Sequence, residues 1–267
     1  MSHLLLFGPG YCASHFARRL EARGWQVTRV ARSGGDVDFA DRAAVTTALR
    51  GASHILSSVP PDATRGADPV LRTYGEALAL GSFDWIGYLS STGVYGDAAG
   101  AWVDESAPIC GRRAARNAAD AAWRGMHDAV RVFRLPGIYG PGRSPIDRVA
   151  AGVAHLVGPS HHIFSRIHVA DVTGALLSSL ASPETGAFNI ADDLSCHPDA
   201  PIAGAARLLG LAPPPIVPIA SLSPAAQAFY SESRRIANGR AKRLLGWQPT
   251  YPTWVEGQLA IARDISP

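Results

Sequence analysis

The chain has 267 residues, 47% of them apolar and 18% charged, with a net charge of +3, the make-up of a folded globular protein rather than a disordered one. No apolar run reaches the roughly 18 residues needed to span a bilayer, the N-terminal apolar run lacks the basic flank of a secretory signal, and the basic residues are scattered rather than gathered into the block that nucleic acid requires. We expect a cytoplasmic protein with no membrane or nucleic-acid partner, whose Cys12, Cys110 and Cys196 are reduced thiols.

The first run, Leu4–Phe7, ends in Gly8-Pro9-Gly10-Tyr11-Cys12-Ala13 and passes into a helical stretch from Ser14 to Arg23. An apolar strand, then G-x-G-x-x-A, then a helix is the arrangement that binds a dinucleotide. Gly8 permits the tight turn, Gly10 lets backbone approach a pyrophosphate, and Ala13 keeps the helix close to the sheet. Tyr11 and Cys12 lie in the first helical turn, whose unpaired N–H groups face the phosphates.

A second strand, Gln26–Val30, leads to Ala31-Arg32-Ser33. A carboxylate here would bind the ribose hydroxyls of NAD, but no acid occurs between Glu21 and Asp36. Arg32, with Ser33 beside it, suits the extra phosphate of NADP; a solvated loop arginine is the competing reading. We expect NADP, with NAD as the second choice. Asp38 and Phe39 end a short third strand and could flank the adenine.

Further strands at His54–Val59, Trp85–Ser90 and Val130–Leu135 alternate with helical stretches near 41–50, 69–81 and 114–128. This alternation predicts an α/β fold, a Rossmann-type doubly wound parallel sheet with a smaller C-terminal substrate lobe. Its strand ends, with Ser90, Ser91, Leu135 and Pro136, open on the edge that holds ligands. After Gly140 prolines and glycines become frequent and helices shorten. We assign residues 1–140, with a returning segment at about 165–192, to the dinucleotide-binding domain, and about 141–164 with 193–267 to the substrate lobe.

Several pieces in order resemble the extended short-chain dehydrogenase/reductases, which include NAD(P)-dependent sugar epimerases and dehydratases. They are Gly8-x-Gly10-x-x-Ala13, Ser91-x-x-Val94-Tyr95-Gly96, Asp104-Glu105-x-x-Pro108, Arg134-Leu135-Pro136-Gly137-Ile138-Tyr139-Gly140-Pro141-Gly142, Ile167-His168-Val169-Ala170-Asp171-Val172 and Phe188-Asn189-Ile190. The resemblance implies that Ser91 hydrogen-bonds the reacting oxygen. It also implies a Tyr-x-x-x-Lys acid/base pair on the next helix, and that pair is missing. No tyrosine lies between Tyr95 and Tyr139, and the sole lysine is Lys242. Arg112 and Arg116 take the two positions. An atypical subgroup of the family, with an arginine-rich helix followed by Ala-Trp (here Ala122-Trp123), has the same pattern.

Arginine cannot exchange protons near neutrality, but it can clamp an anion or stabilise developing negative charge. At a spacing of four, Arg112 and Arg116 would share a helix face. The proton would come from Tyr95, with Tyr139 or His168 as the next candidates. Thr92, Tyr139, Arg143, Arg166 and His168 are expected around a small, anionic substrate, with Arg234 and Arg235 as further anion candidates. No metal is expected, since the histidines lack zinc spacing, and no G-x-S-x-G elbow is present. Two functions follow: an NAD(P)-dependent oxidoreductase or epimerase-like enzyme acting on a small carbonyl or hydroxyl compound, or a catalytically silent NADP-binding sensor or scaffold.

Overall fold

The computed structural model describes residues 2–265. Its centre is β1 (His3–Phe7), buried along its whole length. Alternation sends Leu4 and Leu6 to one face of the sheet and Leu5 and Phe7 to the other. β2 (Gln26–Ala31) and the two-residue β3 (Val37–Asp38) extend the sheet on one side; β4 (His54–Ser57) and β5 (Trp85–Ser91) extend it on the other. After the short β6 (Trp102–Val103) come β7 (Val130–Leu135), β8 (Gly137–Tyr139), β9 (Arg166–His168), β10 (Gly186–Asn189) and β11 (Arg235–Ile236). The main sheet has seven parallel strands in the order β3-β2-β1-β4-β5-β7-β10, while β6 pairs with β11 and β8 with β9. This is a Rossmann-type α/β fold.

Both faces of a parallel sheet must be covered. On one, α1 (Tyr11–Glu21), α6 (Val169–Leu180) and α9 (Gly239–Leu245) supply Phe16, Leu20, Leu176 and Leu245 to an apolar cluster with Leu4 and Leu6. On the other, α2 (Arg42–Gly51), α3 (Pro69–Leu80) and α4 (Ala114–Met126) bring Val45, Leu78 and Trp123 against Leu5 and Phe7. A separate cluster joins Tyr139 to α5 (Pro145–Ala150), α7 (Asp199–Leu208) and α10 (Trp254–Ile265). The short α8 (Pro224–Phe229) has no buried residue.

At the glycine turn two element limits differ from expectation. The first helix begins at Tyr11, directly on the turn, rather than at Ser14. β4 stops at Ser57, because Ser58 and Val59 leave the sheet to brace that turn: the Ser58 hydroxyl donates to the Gly8 carbonyl, and a Cβ on Gly8 would meet Val59 Cγ2 at 2.9 Å.

The ends of β5, β7 and β10 are tied by a buried polar chain. Arg134 and Asp120 are both fully buried and paired through two bonds, Nη2 to Oδ1 at 2.7 Å and Nε to Oδ2 at 3.0 Å. Ser90 donates to Asp120 Oδ2 at 2.7 Å. Arg134 Nη1 donates to the Tyr95 hydroxyl at 2.9 Å, and that hydroxyl donates to Asn189 Oδ1 at 2.7 Å. Removing one partner of such a pair leaves an uncompensated buried charge. We expect Arg134→Met to lower unfolding stability by about 3–5 kcal/mol, read as a lower urea midpoint; a loss under about 1 kcal/mol would show that the sheet ends are held by packing alone.

Candidate functional site

The parallel strands end together, so the glycine turn after β1, Ser91 at the end of β5 and Pro136 after β7 share one sheet edge. Gly8 has φ +75°, a backbone conformation that a side chain would strain. Its N–H donates to the Val30 carbonyl at 2.9 Å. Gly10 is exposed and caps α1 without a side-chain hydrogen bond, which leaves the first-turn N–H groups facing outward. Ala13 is fully buried against the sheet. The Cys12 thiol points into the core, where burial pushes it up to about 11; only the backbone of this residue faces the edge. Tyr11 donates to the Pro141 carbonyl at 3.0 Å, and the Arg143 guanidinium lies 5.7 Å above its ring. The loop after β8 thereby brings Arg143 beside the glycine turn.

At the outer end of the sheet Arg32 and Ser33 are exposed, and Arg32 has no hydrogen-bond or ion-pair partner among the described residues. Asp38 uses its carboxylate to accept from the Ala40 N–H at 2.9 Å. Phe39 is half-buried against Phe7 and Tyr74.

A cavity of about 150 Å³ opens beside Ser91, a volume comparable to one that holds benzene. Its polar walls are Ser91, Thr92, Arg112, Arg113, Glu232 and Arg234, and Phe164, Phe229 and Ile236 add apolar surface. Pro136 lines it as well, while Leu135 is buried behind. Ser91 Oγ accepts from the Gly93 N–H at 3.1 Å, so its own proton remains to be donated. Glu232 bridges two arginines: Oε1 lies 3.1 Å from Arg112 Nε and Oε2 lies 2.9 Å from Arg234 Nη1. Three cations therefore meet one carboxylate.

The positive excess is sharpened by the helix behind it. α4 begins at Ala114 with Arg113 as its N-cap and no acid in its first turn, so Arg112, Arg113 and Arg116 crowd the positive end of the helix dipole. Burial and the Arg112 and Arg116 charges hold the Arg113 guanidinium below its usual value. Arrangements that disfavour their own charge in a cleft are marks of a functional site.

Several expected roles must be moved. Arg112 precedes the helix and so does not share a face with Arg116; it reaches the cavity, whereas Arg116 is not on the walls and its Nε is buried without a partner. Ser90 faces the core and serves Asp120 rather than a cofactor, because successive strand residues point to opposite sides. Tyr95, expected to supply the proton, is 3% exposed, its hydroxyl is held between Arg134 and Asn189, and burial raises its pKa. It acts as a strut. His168 caps α6 through Nδ1, accepting from the Ala170 N–H at 3.2 Å, and burial pushes its pKa down to about 4, so it is neutral near pH 7. Tyr139 packs edge-on against it at 5.2 Å, with its hydroxyl facing Gly257 of α10. Arg166 donates to Cys196 Sγ at 3.2 Å and, with Arg143, lines an adjoining hollow of about 500 Å³ that shares Gly137 with the Ser91 cavity.

Arg113 and Glu232 were not anticipated. The Arg112-Arg113 pair and the segment from Tyr230 to Asn238 were the available signals, but only the fold sets β11 beside β6 and so brings Glu232 over Ser91. Among the described residues no cluster of three His, Cys, Asp or Glu side chains could hold a metal, and no helix is long and apolar enough to cross a membrane.

No family model matches the sequence. Among solved structures, a functionally unknown conserved protein from Silicibacter pomeroyi DSS is 38% identical, with 99% of both chains covered and a TM-score of 0.88. The chain belongs to one family with that protein and has the fold of the atypical extended short-chain dehydrogenase/reductases. Human epimerase family protein SDR39U1, solved with NADPH, shares the fold at 19% identity, 98% and 100% coverage and a TM-score of 0.80. MoeE5, solved with UDP-glucose and NAD, does so at 21% identity, 99% and 100% coverage and a TM-score of 0.78. A curated relative, a 3-diazoavenalumate denitrifying reductase of a Streptomyces species, is 33% identical over 137 residues, 47% of this chain and 45% of its own. The alignment thus spans less than half of that relative's length.

Asp192, three residues beyond β10 and bonded through its N–H to the Arg166 carbonyl, offers a pH test of this burial. It is 2% exposed with one oxygen unpartnered, and burial pushes its pKa up to about 8. The folded protein holds this proton more tightly than the unfolded chain, so stability should fall as pH rises from the ordinary carboxylate range through about 8. We expect Asp192→Asn to raise the thermal midpoint by several degrees more at pH 9 than at pH 5. A constant difference would mean that the carboxylate is solvated.

Proposed function

We propose that this chain is an NADP-dependent oxidoreductase, or an epimerase-like enzyme using the same hydride chemistry, acting on a small anionic compound with a carbonyl or hydroxyl group. The observation that carries the reading is the arginine-walled cavity at Ser91, on the same sheet edge as the Gly8–Gly10 turn. The nicotinamide cofactors present in the SDR39U1 and MoeE5 structures support the cofactor class.

The residues fit such a cofactor. Gly8 lets the backbone turn tightly against Val59, exposed Gly10 leaves the turn without a side chain, the uncapped start of α1 offers N–H donors, and Arg143 adds a cation beside them. Arg32, exposed and unpaired, would hold a ribose phosphate through its planar fork. A bound nicotinamide would give up or take up hydride. Ser91 would donate a hydrogen bond from its hydroxyl to the reacting oxygen, and Arg112, Arg113 and Arg234 would hold the anionic end of the substrate.

The reading as a silent NADP-binding sensor draws on the same walls. With Tyr95 in the core, the cavity wall carries no tyrosine, lysine or histidine, and its one carboxylate, Glu232, is held by two arginines. A panel of small hydroxy and keto acids, followed by cofactor absorbance, separates the two readings. Turnover that falls about a hundredfold or more in Ser91→Ala supports the enzyme, and no turnover on any member supports the sensor.

Cofactor choice is tested by titration. A charge-assisted contact from Arg32 to the extra phosphate is worth on the order of 1.5–3 kcal/mol. We expect NADPH to bind roughly ten- to a hundredfold more tightly than NADH, and Arg32→Ala to abolish that difference. Equal affinities in the native protein would overturn the NADP assignment.

A further inference from the structure

Glu232 is the one carboxylate on the cavity wall, and it already occupies the positions on Arg112 and Arg234 that an incoming anion would use. It also borders a second hollow of about 220 Å³ on its other side, lined by Asp97, His161, His162 and the neighbouring serines Ser231 and Ser233. In that hollow's wall His162 Nδ1 is buried without a hydrogen-bond partner. We propose that Glu232 is a swinging counter-ion: it neutralises the arginine clamp when the cavity is empty, and it moves toward His162 when a carboxylate or phosphate group binds. This inference rests on the reading of the cavity as an anion site.

The anchoring of the segment allows such a swing. Ser233, one residue on, is fixed: its N–H donates to Asp97 Oδ1 at 2.8 Å, its hydroxyl accepts from the Ile163 N–H at 2.9 Å, and its carbonyl accepts from Ala98 and Gly100. Upstream, α8 has no buried residue and leads to Glu232 through the exposed Ser231. The Glu232 side chain thus hangs from a fixed point and can change rotamer between the two hollows without moving the sheet. Like-charge crowding among Arg112, Arg113 and Arg116 provides the drive to retain some anion at all times. A polar group that competes with the ligand for its own site lowers affinity but keeps the empty, like-charged clamp from being forced apart or binding indiscriminately.

The test is calorimetric titration of the cofactor-free protein with malonate and with inorganic phosphate. We expect Glu232→Gln to bind at least one of these about tenfold more tightly than the native protein, because two charge-assisted contacts no longer have to be broken. Arg112→Gln and Arg234→Gln should each weaken binding about tenfold or more. His162→Phe keeps the ring packing against Phe164 and Tyr230 but removes the receiving nitrogen. It should weaken anion binding in the native background and not in Glu232→Gln. Unchanged or weaker binding by Glu232→Gln, or equal effects of His162→Phe in both backgrounds, would overturn the proposal. So would the absence of anion binding by both the native protein and Glu232→Gln. NADPH titration of the same preparations reads the cofactor assignment separately, so failure of either reading is visible without the other.

Discussion

The buried pair of Arg134 and Asp120 is the constraint on which the rest of the edge depends. Two fully desolvated charges are tolerable only when each is matched in geometry and the remaining donors and acceptors are filled. Here Ser90 and Tyr95 do the filling, and Asn189 completes the chain. The arrangement fastens the middle of α4 to β5, β7 and β10, at the point where the ladder already pairs Arg134 with Ser90 and Asn189. Because Ser90 turns inward to serve it, Ser91 must turn outward, and the residue that faces the cavity is fixed by a pair that never touches it. The same pair explains why Tyr95 is unavailable for chemistry: a phenol held between a guanidinium and an amide is part of the scaffold.

The loss of the tyrosine and lysine expected of this fold has not left a neutral gap. Arg112 and Arg113 stand just before α4, where the helix dipole already favours anions, and Arg234 faces them from the segment that returns through β11. Where the family resemblance implied residues that exchange protons or hold a ribose, guanidinium groups stand instead, which changes the chemistry this edge can offer. Each arginine alone would be an ordinary surface residue. Their convergence on a small cavity next to a serine hydroxyl makes the difference, and Glu232 keeps them from repelling one another apart.

The Ser91 cavity shares Glu232 with the smaller hollow beside His162 and Gly137 with the more open one beside Arg143 and Arg166. The glycine turn, braced by Ser58 and Val59, occupies the same edge closer to the sheet centre. The edge is thus divided by charge and by backbone type. Exposed glycine backbone and helix N–H groups lie at β1, and cationic side chains over a hydroxyl lie at β5. This division is the physical basis for proposing a phosphate-bearing cofactor at the first and a small anion at the second.

The parallel sheet, its strand ends and the glycine turn were legible in the sequence, because they rest on local periodicity and on short spacings that repeat wherever the same backbone geometry is needed. Gly8 and Gly10 form the turn from β1 into α1, Ala13 packs on the sheet and Ser91 ends β5. The absence of Tyr-x-x-x-Lys was equally plain, since composition alone excludes it. What a linear reading could not decide was direction and partnership. Ser90 and Ser91 look alike until the sheet assigns them opposite faces, Arg112 and Arg116 look like one helix face until the helix begins between them, and Tyr95 looks like a donor until Arg134 and Asn189 close around it. Glu232 lies some 140 residues from Ser91 along the chain, and only the pairing of β11 with β6 brings it over that hydroxyl. Spacing along a chain encodes local conformation, but which polar groups are desolvated together is set by long-range packing, and it is desolvation that separates a strut from a ligand.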